Sequence, residues 1–240
     1  MKAIITFHSL DQSGSVLSYP PKLFANLLDS LTRSEVPILS LDELLLDETK
    51  AGITFTFDDG MKTVFTEALP ILQDFNVPAH LYLTTGAVGK DNRWPTQPAS
   101  APGFEMLAWD EIEKLHAANI YIDSHTNSHP DMRTLSQDEL EDECGIADKL
   151  IEERLGRQPQ YFAYPYGYKN SHVCDFSRNR YKATVTTDFR VLCSTEDCAT
   201  LPRLDAYYLQ PKWLIKNLNS PLSKSYIALR GWIRTVRGKQ

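Results

Sequence analysis

Strand-like and helix-like segments alternate along most of this 240-residue chain, and that alternation restricts the possible folds more than any other feature. Short runs of β-branched and aromatic residues are followed by longer runs with apolar residues at helical spacing. Repeated β-then-α units predict parallel strands with helices packed outside them. The sequence therefore predicts an α/β fold, an irregular (β/α) barrel of about seven strands, with its chemistry at the carboxyl ends of the strands.

The predicted elements follow from hydrophobic spacing, turn residues and capping signals. Ser136 followed by Glu139 forms a capping box, and Gly156 is placed to end the same helix. The proline- and glycine-rich segment 86–105 predicts a long surface loop. The predicted strands are residues 2–7, 36–39, 53–57, 79–84, 120–123, 161–164 and 181–186, and the predicted helices are residues 21–34, 41–46, 63–75, 110–118, 136–155 and 171–179.

The composition is that of an ordinary globular protein, with 42% hydrophobic and 23% charged residues. A net charge of −6 argues against a nucleic-acid partner. Residues 211–240 carry seven basic and no acidic side chains, which leaves −13 on residues 1–210. We therefore divide the chain into a main domain, residues 1–210, and a basic amphipathic C-terminal tail, residues 211–240.

The tail and the cysteines each leave alternatives open. Residues 225–237 can lie on an anionic membrane surface, dock on the acidic body or stay disordered. The apolar stretch at residues 3–7 is too short for a signal peptide, so we predict a cytoplasmic protein, with membrane association through the tail as an option. In that compartment the four cysteines are expected to be reduced, although Cys193 and Cys198 are close enough to pair.

Two short segments carry the chemistry. Residues 54–60 read TFTFDDG, a strand that ends on two adjacent carboxylates, Asp58 and Asp59. Adjacent carboxylates repel each other, so a cation nearby is expected. Residues 124–130 read SHTNSHP and supply His125 and His129. One aspartate and two histidines give three ligands and leave a position open for water, and the other aspartate is then free to act as a base.

These segments resemble the first two motifs of the polysaccharide deacetylases, also called the NodB homology domain or carbohydrate esterase family 4. Residues 162–167 (FAYPYG) resemble the third motif, and residues 107–112 (LAWDEI) are also similar to this family. The resemblance covers roughly residues 1–205. It implies a NodB-type barrel and a metal-dependent hydrolase. Such an enzyme removes an N-acetyl or other N-acyl group from an amino sugar in a polysaccharide, oligosaccharide or glycolipid.

The resemblance also implies residue roles. Asp59, His125 and His129 would hold one divalent metal ion, commonly zinc, and Asp58 would be the general base. Backbone N–H groups near Tyr166 would hold the oxyanion. No organic cofactor is implied. We expect His80, His116 and His172 to be structural.

This chain departs from the common family pattern in two places. The usual third motif has an arginine where this chain has Ala163, and the usual C-terminal histidine is missing because the last histidine is His172. The chain is similar in both respects to the poly-N-acetylglucosamine deacetylases, in which a histidine on an N-terminal strand is the acid. By this resemblance His8 is the predicted acid, and Arg203 replaces the missing arginine and orients Asp58.

Three aromatic residues and two other functions complete the predictions. Tyr164 and Tyr166 are predicted to line the substrate side, or to be ordinary strand aromatics. Trp94 is predicted either to stack on a sugar or to anchor the long loop. The same site could hydrolyse a non-sugar amide, and the altered third motif leaves open a catalytically silent carbohydrate-binding module.

Overall fold

A computed structural model of the chain describes residues 1–46, 51–98 and 100–236, and it confirms the predicted irregular (β/α) barrel. Seven parallel strands form one curled sheet in the order β8-β7-β6-β5-β4-β1-β9, and β2 and β3 form a separate parallel pair. The strands are β1 Lys2–Phe7, β2 Ser9–Leu10, β3 Ser18–Tyr19, β4 Gly52–Phe57, β5 Ala79–Leu83, β6 Ile120–Ser124, β7 Tyr161–Ala163, β8 Ala183–Val185 and β9 Leu204–Asp205.

Within the described ranges, eight α-helices flank the sheet or extend from it. Helix α5 begins with the predicted capping box, in which the Ser136 side chain accepts from the Glu139 backbone N–H, and ends at Gly156 in the left-handed conformation. The helices are α1 Pro21–Arg33, α2 Leu41–Leu46, α3 Leu69–Phe75, α4 Trp109–Ala117, α5 Gln137–Leu155, α6 Ser171–Arg180, α7 Lys212–Lys216 and α8 Pro221–Val236.

Two predicted elements differ from the structure, and a third reaches beyond the described residues. The strand predicted at 36–39 is wrong, because only Ile38 pairs there, in a single bridge to Ile53. The helix predicted at 63–75 begins instead with a π-turn, Val64–Ala68, followed by α3. Pro70 has no N–H to donate to the preceding turn, and a wider turn accommodates that loss. The tail prediction reached residue 237, which lies outside the described residues.

Segment 201–205 brings the two edges of the sheet together. The Leu201 N–H donates to the carbonyl oxygen of Thr184, a residue of the edge strand β8, at 2.9 Å. Three residues later, β9 pairs with β1 on the opposite edge, with Thr6 aligned to Asp205. A strand of two residues is too short to show a hydrophobic period of two. The sequence analysis therefore missed β9.

Aromatic side chains fill the barrel beneath the carboxyl ends of its central strands. Phe7 packs at ring-centroid distances of 5.0 Å from Phe24 and 5.4 Å from Phe57. All three residues are at most 2% exposed. Strands β1 and β4 pair in register up to Phe7 and Phe57, so His8 and Asp58 leave the sheet side by side. The packed aromatic core therefore fixes the positions at which His8 and Asp58 leave the sheet.

One of the histidines expected to be structural lies in the fully buried part of β5. The Leu41 N–H donates to His80 Nε2 at 3.0 Å, so His80 Nδ1 carries the proton and donates to Asp123 at 2.7 Å. Asp123 also accepts from the backbone N–H groups of Gln160 and Tyr161. This network links α2 to β5, β6 and β7 inside the fold.

Candidate metal centre

Three side chains from two loops converge at the carboxyl ends of β4 and β6. Asp59 follows β4, and His125 and His129 lie on the loop after β6. Their ligand atoms all lie within 4.8 Å of one another, and all three residues are buried. Asp59 Oδ1 is 3.3 Å from His125 Nε2 and 3.5 Å from His129 Nε2. The structure thus brings together the three residues predicted as metal ligands.

The hydrogen bonding of His125 tests whether these residues fit a metal. Its Nδ1 lies 2.7 Å from the carbonyl oxygen of Ala163, which can only accept, so Nδ1 carries the proton. With Nδ1 bound to this carbonyl, the other ring nitrogen, Nε2, faces the Asp59 carboxylate, 3.3 Å from its Oδ1. His125 Nε2 and the Asp59 carboxylate would both be available to hold a divalent cation, and the Ala163 carbonyl fixes the imidazole ring as metal-site partners commonly do. The site fits a cation bound by two imidazoles and a carboxylate.

The protonation states of the other two ligands agree with this fit. Burial lowers the pKa of His129 to about 3, so its imidazole is neutral at pH 7 and has a lone pair available. Burial opposes ionisation of Asp59, but His125, His129 and His8 outweigh it and hold the Asp59 pKa below its usual range. Asp59 is therefore anionic and His129 is neutral at neutral pH, as metal ligands must be.

Four residues around the candidate metal centre have a left-handed backbone conformation. Asp59, Thr126, His129 and Tyr166 all have positive φ angles, between 56° and 72°. Such conformations cost of order 1–3 kcal/mol each for residues with a side chain, and they cluster at functional sites. The Thr126 hydroxyl accepts from the His129 N–H at 3.0 Å and helps to hold the strained turn.

Glu143 of α5 binds the loop that carries His125 and His129. The sequence analysis did not identify this residue. Its carboxylate accepts from the backbone N–H groups of Asn127 and Ser128, at 3.1 and 2.8 Å, and from the Ser128 hydroxyl at 2.7 Å. In the sequence Glu143 is one of many acidic residues of a polar helix, so no local signal sets it apart.

Asp58 lies beside the triad but forms a pair with Arg203. The guanidinium donates two parallel hydrogen bonds to Asp58, at 2.6 and 2.7 Å, and a third to the Thr56 hydroxyl at 3.2 Å. Both partners are buried. Burial alone raises the pKa of Asp58, but the charge and hydrogen bonds of Arg203 outweigh it and lower the pKa. Asp58 is therefore ionised and rigidly oriented.

His8 leaves β1 next to this pair and acts electrostatically on three carboxylates. Its charge contributes to lowering the pKa of Asp58 and Asp59. Asp205, the last residue of β9, also interacts with it: burial raises the Asp205 pKa, and His8 is the strongest opposing influence. Sequence reasoning missed Asp205, because the pairing of β9 with β1 is invisible in the pattern.

The predicted aromatic residues occupy three different environments. The Trp94 Nε1–H donates to the Tyr166 hydroxyl at 3.0 Å, and the Trp94 ring lies 4.3 Å from that of His129, with Trp94 8% exposed. The Tyr166 ring packs 4.5 Å from His129 on another side. Tyr164 instead turns into the core, where its hydroxyl bonds to Ser177 and to the Ala199 carbonyl. Trp94 and Tyr166 therefore pack on two sides of His129, one of the predicted metal ligands. Tyr164 contributes to the core of the fold.

Comparison with known proteins decides the family. Residues 46–183 match the family model for polysaccharide deacetylases. The chain belongs to this family. The match includes both carboxylates and both histidines of the centre, but His8, Arg203 and Asp205 lie outside it. The family match therefore does not bear on the roles of these three residues.

Individual relatives are distant in sequence. A protein named putative polysaccharide deacetylase YxkH, from Bacillus subtilis, is 23% identical over 77% of this chain and 64% of its own length. A Staphylococcus aureus protein (strain MRSA252) named poly-beta-1,6-N-acetyl-D-glucosamine N-deacetylase is 24% identical over 89% of this chain and 73% of its own length. This chain thus spans slightly less than two thirds of the first relative.

A solved structure shows the same fold. The deacetylase PplD of Streptococcus pyogenes, solved with acetate, superimposes with a TM-score of 0.72 at 23% identity, covering 85% of this chain and 91% of that one. This likeness supports the barrel independently of the family match.

Proposed function

We propose that this protein is a metal-dependent N-deacetylase that acts on an N-acetylated amino-sugar polymer or glycolipid. The proposal rests on one observation: the two adjacent carboxylates, Asp58 and Asp59, lie in different environments. Asp59 points at two imidazoles, and Asp58 is held apart from them by Arg203. A site that only bound a metal would not need this second, oriented and ionised carboxylate. The name of the S. aureus relative supports N-acetylglucosamine polymers as the substrate class.

The chemistry follows from the geometry of the side chains. A divalent cation held by Asp59, His125 and His129 supplies a Lewis acid that acidifies water and polarises the acyl carbonyl. Asp58 accepts the proton of the attacking water, since it is ionised and adjacent to the ligand set. His8 donates a proton to the departing sugar nitrogen, because it emerges beside Asp58 from the neighbouring strand. We propose zinc as the metal because two imidazoles and one carboxylate suit it.

A substrate panel tests this proposal. We expect the metal-loaded protein to release free amines from oligomers of N-acetylglucosamine, measured with an amine-reactive dye, and not from simple aliphatic or aromatic acetamides. Chelator-treated protein should be inactive and recover with added metal. Turnover of the small amides alone would favour a general amidohydrolase. Tight oligomer binding without amine release would favour a silent carbohydrate-binding module and contradict the proposal.

We also propose that α8 contacts an anionic membrane surface, as the tail sequence suggested. Among the described residues every helix is too short or too polar to cross a bilayer, so the contact would be peripheral. Support comes from the outward side of α8, where Leu222, Leu229, Trp232 and Val236 are each more than half exposed. No acidic residue follows position 210. Apolar side chains next to basic ones are typical of helices that bind anionic lipid.

Vesicle co-sedimentation checks the membrane proposal. We expect binding to phosphatidylglycerol vesicles, weak binding to phosphatidylcholine vesicles, and a loss of about tenfold for Leu229→Ser/Trp232→Ser. The matched control, Leu46→Ser/Ile146→Ser, removes two exposed apolar side chains elsewhere and should bind normally. Equal binding by both double variants would contradict the proposal. The cytoplasmic location predicted from the sequence remains part of this proposal, and cell fractionation with a fluorescent fusion would test it.

A further inference from the structure

The two histidines of the candidate metal centre are held in different ways. His125 Nδ1 donates to the Ala163 carbonyl oxygen at 2.7 Å, and this bond fixes the ring. His129 Nδ1 is buried, and within the described ranges it has no hydrogen-bond partner. Histidines that bind metals almost always hydrogen-bond through their second ring nitrogen, because that bond sets the orientation of the ring. Other contacts must therefore orient the imidazole of His129.

Three aromatic rings surround the His129 imidazole. The centre of the Trp94 ring lies 4.3 Å from it at an interplanar angle of 31°, and that of Tyr166 lies 4.5 Å from it at 81°. The His125 ring packs edge-on at 4.8 Å. Ring contacts of this kind have a preferred geometry, so they restrict rotation of the imidazole. The orientation of His129 then depends on Trp94 and Tyr166 staying in place.

A continuous chain of hydrogen bonds holds these two rings. The Trp94 Nε1–H donates to the Tyr166 hydroxyl at 3.0 Å. The Thr96 hydroxyl lies 2.8 Å from the Tyr166 hydroxyl and 2.8 Å from the carbonyl oxygen of His129. The chain thus begins on a ring that packs against His129 and ends on the backbone of His129. We call Trp94, Thr96 and Tyr166 the clasp.

The direction of every hydrogen bond in the clasp follows from the chemistry of its groups. A carbonyl oxygen only accepts, so Thr96 donates its single hydroxyl proton to His129. The Tyr166 hydroxyl must then donate to Thr96, and burial raises the pKa of Tyr166, so this proton is retained at neutral pH. The Trp94 indole N–H only donates. Each donor is used once, and hydrogen bonds arranged in such a chain strengthen one another.

The clasp also joins two residues with an unfavourable backbone conformation. His129 has a φ angle of 56° and Tyr166 one of 59°. Conformations of this kind persist only where the surrounding structure over-determines them. The bonds from Trp94 and Thr96 supply contacts of that kind on the side of the long loop, and Thr96 was not identified in the sequence analysis.

We propose that the clasp positions His129 for metal binding, with Thr96 and the Tyr166 hydroxyl as positioning residues that replace the hydrogen bond His129 Nδ1 does not make. This inference rests on the proposed function, because it takes His129 as a metal ligand. It makes the proline- and glycine-rich loop a supporting part of the metal centre.

Zinc affinity of the full chain, measured by competition with a chromogenic chelator, tests the clasp. Tyr166→Phe keeps the ring and the backbone N–H and removes only the hydroxyl. We expect it to weaken zinc binding by about tenfold, as does Thr96→Val, while Thr96→Ser binds normally. Thr134→Val is the matched control, because the Thr134 hydroxyl is also exposed and donates to a backbone carbonyl, that of Asp131, at 2.8 Å.

A double variant shows whether the hydroxyls act as one chain. Breaking the chain once removes its effect on His129, so Tyr166→Phe/Thr96→Val should bind zinc about as weakly as Tyr166→Phe alone. Two independent effects would multiply to about a hundredfold. In cobalt-loaded protein, the visible absorption should change in Tyr166→Phe and Thr96→Val and stay unchanged in Thr134→Val, because it reports the geometry of the ligands. A merely structural role would lower the melting temperature without altering this spectrum.

These outcomes separate the clasp from the proposed function, since metal affinity is measured without a sugar. Unchanged affinity in Tyr166→Phe, an equal loss in Thr134→Val or a hundredfold loss in the double variant would overturn the inference, even in an enzyme that releases amines. The expected affinities in a protein that releases no amine would refute the function and support the clasp. No zinc binding by the unchanged protein would overturn both.

Discussion

Replacing Asp58 with asparagine should lower kcat for amine release by roughly 10²–10⁴-fold while leaving one metal ion bound, because a general base contributes about that much. The metal remains because Asp58 is not among the three ligands. The amide keeps the shape of the side chain but cannot accept the water proton. Steady-state kinetics together with metal analysis of the same sample check both halves of this expectation.

The same substitution has a second effect that must be controlled. The neutral amide would leave the buried Arg203 guanidinium without its anionic partner, and such a broken pair costs about 3–5 kcal/mol of stability. The double variant Asp58→Asn/Arg203→Met removes the unpaired charge. It should recover most of the melting temperature and none of the turnover. Recovery of turnover in the double variant, or full turnover in Asp58→Asn, would contradict the base assignment.

The barrel and the set of metal ligands could be predicted from the sequence because short, continuous segments specify both. A strand that ends on two carboxylates and a loop with two histidines four residues apart need no long-range information. The carboxyl-end rule for parallel strands then brings Asp59, His125 and His129 together. The structure places the ligand atoms of all three within 4.8 Å of one another.

Partners from distant segments could not be derived in the same way. Arg203 meets Asp58 across 145 residues, and only the resemblance to known proteins suggested it. The carbonyl of Ala163 and the carboxylate of Glu143 carry no signal, because a backbone atom and one acid among many look ordinary. Asp205 was missed because β9 has two residues and its position depends on how the sheet closes.

Three open alternatives now have structural answers. The tail predicted as docked, membrane-bound or disordered forms α8, with one side against the barrel and apolar side chains on the other. Docking and membrane contact therefore do not exclude each other. Cys193 and Cys198 are both exposed and free, in agreement with reduced cysteines. Trp94, at 8% exposed, packs on His129 and anchors its loop.

The central claim is that Asp59, His125 and His129 form a metal centre, and zinc binding by isothermal titration tests it most directly. We predict one zinc per chain in the unchanged protein and at least a hundredfold weaker binding in His125→Ala, since a lost ligand should cost no less than a lost supporting partner. His116→Ala, on α4, is the matched control and should bind normally. Equal zinc affinity in His125→Ala and the unchanged protein, or no binding by either, would contradict the account.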